Sequence, residues 1–200
     1  MVKLYMGKNR DFMNYKKLFL KFISVFLVVF VAGCASAKLR GGLISPPWAA
    51  ADISMLDHNG NMFQLNSMRG KVVLVFFGFT NCVAECPLTM AHLKLAVEAL
   101  GANAKEVQVV MVSTDPVRDT PQAMKEFIEK FNPAFIGIPG STADLQKIWS
   151  AYGVLVEDGG ETHSSFTYVI DKTGNIRETF SPDTTPEDIT ADLKVLLAEK

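Results

Sequence analysis

The sequence predicts an α/β fold in which a central mixed β-sheet is flanked by helices, with β-hairpins at the N-terminal and C-terminal ends. Continuous apolar runs at 72–77 and 107–112, rich in β-branched and aromatic residues, have the composition of strands buried on both faces. Stretches with apolar residues at helical spacing alternate with these runs, the order that builds a sheet covered by helices. Short paired segments around tight turns lie at either end of this alternating middle.

Each element has a local reason. Segments 52–56 and 62–65 flank His58, Asn59 and Gly60; Asn and Gly both accept positive φ, so a hairpin is expected, with His58 on its solvent-facing turn. The buried run 72–77 ends at Gly78. From 87 to 100 the apolar residues Met90, Leu93, Val97 and Leu100 recur at helical spacing, and Pro87 fits a first turn whose backbone N–H groups lack partners. The strand 107–112 leads into Ser113, Thr114, Asp115 and Pro116. Thr120 is an N-cap and Pro121 a first helical residue for a helix reaching Phe131. A short apolar segment at 135–138 precedes a helix over 142–152 carrying Leu145, Ile148 and Trp149. Strand 166–170, turn 171–175 and strand 176–180 form the last hairpin, and 186–198 a closing amphipathic helix. There is no internal repeat and no low-complexity segment. This order resembles a thioredoxin-like fold, in which reactive residues lie at the carboxyl ends of the strands.

The chain has 200 residues, of which 48% are apolar, enough for one well-buried domain of average size. A leader precedes it. Lys16, Lys17 and Lys21 come before an apolar stretch at 22–32, and Val31, Ala32, Gly33 and Cys34 follow the pattern of a bacterial lipobox. The stretch is about a dozen residues where a spanning helix needs about twenty, so an uncleaved anchor is the weaker alternative. With this layout Met13 is a candidate start. The expected organisation is a lipoprotein signal peptide over 1–33, a lipidated N-terminal tether over 34–50 with the lipid on Cys34, and one domain over 51–200. Gly41, Gly42, Pro46 and Pro47 make the tether mobile in this reading. The domain is then held at the membrane of a bacterial cell envelope, facing the extracytoplasmic side. Beyond Cys34 fourteen basic residues stand against twenty acidic ones, a net charge of −6 that offers no basic patch to nucleic acid.

Once Cys34 is lipidated, only Cys82 and Cys86 remain, and no separate disulfide framework accounts for them. They stand four residues apart where the 72–77 strand hands over to the next helix. The partial positive charge of that helix N-terminus favours thiolate, the form that attacks disulfides and binds metals, at both positions. A purely stabilising disulfide is the plain alternative, but so small a loop restrains the unfolded chain little. His163, just before the 166–170 strand, is the third candidate. A lone histidine in such a place is often only a packing residue. In thioredoxin-like proteins, however, the loop before this strand faces the cysteines and commonly carries a proline; no proline occurs between Gly140 and Phe166, and His163 fills that loop. Two sulfurs and one imidazole suit copper in either oxidation state and leave a position open for transfer, whereas structural zinc demands four ligands. His92 points away from the apolar stripe of its helix and is a surface residue in this reading.

Three blocks, Phe77-Gly78-Phe79-Thr80-Asn81-Cys82-Val83-Ala84-Glu85-Cys86-Pro87, Asp115-Pro116-Val117-Arg118-Asp119-Thr120-Pro121 and His163-Ser164-Ser165-Phe166, resemble the Sco/SenC family. The resemblance extends over essentially the whole exported domain. It implies a membrane-tethered, thioredoxin-like protein that binds a copper ion through Cys82, Cys86 and His163. It further implies delivery of copper to the binuclear copper site of cytochrome c oxidase, reduction of that site's cysteines, or both, with the apo-oxidase copper-site subunit or another copper or thiol protein as partner. Family members commonly carry Pro and Asp after the first cysteine, where this chain has Val83 and Ala84. That change bears on loop rigidity, redox potential and partner recognition more than on the ligands. Asp115, at a strand's carboxyl end, is a candidate for the outer shell of the site, orienting His163 or a partner. The alternative without metal is a thiol-disulfide oxidoreductase in which Cys82 attacks and Cys86 resolves. A thiol peroxidase ranks last, since Thr80 stands two residues before Cys82 rather than three.

Overall fold

The computed structural model describes residues 38–157 and 162–199; the leader and Cys34 lie outside the described residues. In chain order the elements are β1 (Gly42–Ala49), β2 (Ser54–Leu56), β3 (Met62–Gln64), β4 (Val72–Gly78), α1 (Glu85–Glu98), β5 (Val107–Ser113), α2 (Pro121–Glu129), β6 (Ile136–Ile138), α3 (Thr142–Tyr152), β7 (Val156–Glu157), β8 (Thr162–His163), β9 (Thr167–Ile170), β10 (Asn175–Phe180) and α4 (Pro186–Ala198). The main sheet has the order β1-β10-β9-β4-β5-β6, and β2–β3 and β7–β8 are separate two-stranded ribbons.

The apolar runs take the centre of the sheet. β4 pairs parallel with β5, from Val72 opposite Val107 to Gly78 opposite Ser113, and β5 pairs parallel with β6. On its other side β4 meets β9 antiparallel, and β9 turns back into β10. Alternation along β4 sends Val72, Leu74 and Phe76 to one face, where α1, α2 and α4 cover them, and Val73, Val75 and Phe77 to the other, against α3 and the β2–β3 hairpin. Both faces are therefore core. The helix starts follow their capping chemistry: Thr120, Ser141 and Thr185 each accept a backbone N–H three residues on. The mixed sheet, its helical layers and the two end hairpins agree with the fold expected from the sequence.

Two expectations fail. The stretch expected to be a mobile tether contributes β1, which pairs antiparallel with β10 at its two ends while 44–47 bulge past a single partner residue. Its entry is fixed by carboxylates: Arg40 N–H donates to Asp192 Oδ2 at 2.8 Å, and Gly41 N–H donates to Asp192 Oδ2 and Glu178 Oε2, both at 3.1 Å. Glu178 and Asp192 are almost fully buried, and burial followed by the charge of Asp192 pushes Glu178 up to about 8. One carboxyl thus keeps its proton and can donate to the other. His58, expected to face solvent, is 6% exposed. Its Nδ1 accepts the Gly137 N–H at 2.9 Å and its Nε2 lies 2.9 Å from Asn59 Nδ2, which clamps the hairpin to the sheet.

Candidate metal and thiol site

Gly78 ends β4 and opens the space in which the site forms. A side chain there would meet Phe76 Cε1 at 2.6 Å and Cys86 Sγ at 3.0 Å, so the missing Cβ is what lets Cys86 lie against the end of the strand. The chain then turns through Cys82 and enters α1 at Glu85. Cys82 stands before the helix and is partly exposed, whereas Cys86 lies in the first turn and is fully buried. The two are unbridged thiols, and Cys86 N–H donates to Cys82 Sγ at 3.3 Å.

This placement splits their acidities. Partial burial pushes the Cys82 thiol up, but the backbone N–H groups of Cys86, Ala84 and Glu85 and the Cys86 thiol outweigh it, leaving Cys82 below the ordinary cysteine value. Burial pushes Cys86 far above that value; the Phe79 N–H opposes this, while Cys82 and Glu85 add to it. The expectation that both sulfurs are activated is corrected: the helix N-terminus serves Cys82, and Cys86 is a neutral donor behind it.

His163 reaches the same place from the far end of the chain. β8 brings it opposite Val156, and its ring stands edge-on to Phe79 with centroids 5.8 Å apart. His163 Nδ1 lies 3.2 Å from the Ser164 carbonyl, which can only accept, so Nδ1 is the donor there and Nε2 is the nitrogen left to meet a ligand. Cys82 and His163 line one cleft of about 550 Å³ with Phe79, Glu85, Arg118 and Ser165. Cys86 lies beneath it. Among the described residues no three His, Cys, Asp or Glu side chains form a ready-made metal cage. Two of the three sequence candidates, Cys82 and His163, therefore share a cleft, and the three do not yet share a coordination sphere, although as a donor set two sulfurs and an imidazole fit a soft ion.

Asp115 has a different partner from the one expected. Its carboxylate takes the Arg118 guanidinium in a close ion pair, and Arg118 lies over the Phe79 ring at 5.8 Å, so its link to His163 runs through two other side chains. Asp119, to which the sequence reading gave no role, ties the floor of the site together. It accepts Thr80 N–H at 2.9 Å, the Thr80 hydroxyl at 2.7 Å and the Ser113 hydroxyl at 2.6 Å. The signals available for it were its place in the 115–121 block and just before the Thr120-Pro121 helix start. The Thr80 hydroxyl proton is thus committed to Asp119. His92 takes no part: its Nδ1 lies 3.0 Å from the Thr184 carbonyl.

A thioredoxin-like domain carrying a cysteine pair at a strand-to-helix junction, with a histidine facing it, is the class that this fold and site define. The SCO1/SenC family model matches residues 46–198, and the chain belongs to that family. An SCO2-like protein of Rickettsia felis is 32% identical over 152 residues, 72% of this chain and 74% of the relative. The solution structure of apo Sco1 from Thermus thermophilus superposes with a TM-score of 0.72 at 32% identity, covering 82% of this chain and 100% of that one. ScoI of Bradyrhizobium japonicum, solved with copper bound, gives a TM-score of 0.68 at 32% identity over 74% of this chain and 99% of that one.

Proposed function

We propose that this protein is an exported, lipid-anchored copper carrier. It takes one copper ion on Cys82, Cys86 and His163 and passes it to a cysteine-containing acceptor, the copper-site subunit of apo-cytochrome c oxidase. The observation that carries the reading is the cleft itself, which an acidified thiol and an imidazole line together, with a second, buried thiol whose backbone N–H donates to the first. The copper-bound Bradyrhizobium japonicum relative supports the cargo, and the Val31-Ala32-Gly33-Cys34 run supports the anchor. Cys82, held below the ordinary cysteine value, gives up its proton more readily than a free thiol. Cys86 must give up its proton to bind, so loading releases a proton at that sulfur, and a two-sulfur, one-nitrogen set leaves a position through which the acceptor's thiols can enter.

Titration of the reduced protein with copper should give one equivalent and a sulfur-to-copper charge-transfer band. Losing a residue that merely orients a ligand costs ten- to a hundredfold in affinity, so His163→Ala should weaken Cu(II) binding by about a hundredfold or more with the fold intact. An unchanged titration in that variant removes the histidine from the site. Mass spectrometry of the mature N-terminus tests the anchor, and an intact 33–34 bond refutes it.

The unequal thiols favour a second reading, reduction of a partner disulfide. The Cys82 thiolate attacks one partner sulfur, forming a mixed disulfide and releasing the other as thiolate. Cys86 loses its proton and displaces the remaining partner sulfur, so that the Cys82–Cys86 pair is oxidised by two electrons and the partner is reduced by two. This reaction should turn over without metal and survive His163→Ala.

A further inference from the structure

The histidine and the cysteines arrive on separate segments, 77 and 81 residues apart along the chain, and something must hold the two together before any ion does. His163 belongs to the short β7–β8 ribbon, which is separate from the main sheet. Its hydrogen bonds are local: Nδ1 is committed to the neighbouring Ser164 carbonyl, and Ser164 is tied back to Leu155 through its N–H at 3.2 Å and its hydroxyl at 3.3 Å. The pairing of Thr167 with Phe76 brings the loop to the end of β4, and the His163 ring meets Phe79 edge-on, a contact with no directional bond. Among the described residues one side-chain hydrogen bond ties this loop to the cysteine segment. Ser165, two residues beyond His163, donates its hydroxyl proton to Glu85 Oε2 at 2.9 Å, and Glu85 is the first residue of α1 and the direct neighbour of Cys86. The other acceptor near this hydroxyl, the His163 carbonyl, lies at 3.5 Å, so the proton belongs to Glu85. Both residues line the cleft with Cys82 and His163.

We infer that Glu85 is a positioning residue, a latch whose carboxylate takes the Ser165 hydroxyl and so holds the His163 loop against the first turn of α1, keeping the imidazole at the Cys82 cleft. The inference rests on the copper reading for its purpose. Its geometry stands without metal. The latch needs an oxygen acceptor at the reach of a Glu side chain, and a Gln supplies one. It does not need a charge. That separates it from the other influence Glu85 exerts, in which its negative charge helps keep the proton on Cys86. Val83 and Ala84, directly before it, carry no polar side-chain atom that could take over the bond.

The test compares Glu85→Ala, Glu85→Gln, Ser165→Ala and the Glu85→Ala/Ser165→Ala double variant, first in the reduced, metal-free protein and then after loading with Cu(II). In the metal-free state the nuclear Overhauser contact between the Phe79 and His163 rings should persist in wild type and Glu85→Gln and fade in the other three. After loading, copper loss to a chelator, followed by the charge-transfer band, should be about five- to tenfold faster in Glu85→Ala, Ser165→Ala and the double variant, as one lost hydrogen bond predicts. The double variant should be no worse than either single one, because both remove the same bond. Unchanged ring contact and copper loss in Glu85→Ala overturn the inference, and so does a Glu85→Gln variant as impaired as Glu85→Ala, which would assign the effect to charge. A wild-type protein that takes up no copper, yet whose ring contact depends on Glu85 and Ser165 as described, upholds the latch and sinks the copper reading alone.

Discussion

Gly78→Ala should damage fold and site by one measurable route. The added methyl would sit 2.6 Å and 2.8 Å from Phe76 Cε1 and Cζ and 3.0 Å from Cys86 Sγ, all inside contact distance. Phe76 and Cys86 are 1% and 0% exposed, so neither can swing into solvent to make room. Overpacking of this kind costs about 1–3 kcal/mol. For a domain of this size that corresponds to a melting temperature lower by roughly 3–10 °C. Urea unfolding of the reduced, metal-free protein followed by Trp149 fluorescence reads the stability, since that indole is buried and donates to the Ser113 carbonyl at 2.9 Å. The second readout is alkylation of Cys86, which should quicken because the methyl displaces its sulfur. Ile148→Ala, on the opposite face of the sheet, is the control for global loosening. If Gly78→Ala leaves the midpoint unmoved, or exposes Cys86 no more than an Ile148→Ala protein of equal stability, the steric account of this glycine is wrong.

The two thiols should titrate apart: Cys86→Ser leaves a thiolate absorbance that rises below the ordinary cysteine range, and Cys82→Ser one that rises only above it, the reverse order refuting the placement of the helix N-terminus. Stability should fall between about pH 5 and pH 8 through Glu178, because the folded state retains a proton there that the unfolded chain has already lost. Glu178→Gln should flatten that slope in urea unfolding across the same window, and an unchanged slope would show that the carboxyl pair does not share a proton.

The sequence exposed those parts of the fold whose causes are local. The 72–77 and 107–112 runs became β4 and β5 because strands covered on both faces must be apolar throughout, and Thr120-Pro121 marked a helix start because cap and first turn are adjacent in the chain. What escaped depended on distant partners. Gly41, Gly42, Pro46 and Pro47 suggested a linker, yet prolines are tolerated on an edge strand with a bulge, and the acceptors that fix its entry, Glu178 and Asp192, lie more than a hundred residues away. His58 was placed on the right hairpin and the wrong side, since the Gly137 N–H that holds it inward comes from β6, far along the chain. At the candidate site, residue types singled out Cys82, Cys86 and His163, of which Cys82 and His163 line one cleft, but the helix begins at Glu85 rather than Pro87. That shift of half a turn puts one sulfur in the mouth of the cleft and the other under its floor.

The outermost strand also governs how copies of this protein meet. By covering the β10 flank, β1 leaves the sheet with a border on that side that carries Pro46 and Pro47, neither of which has an amide hydrogen to offer an incoming backbone. The opposite border, β6, is three residues long, too brief to template a neighbour. Concentrated protein should thus resist the strand-by-strand stacking that unprotected sheets invite, leaving encounters between molecules to their side chains.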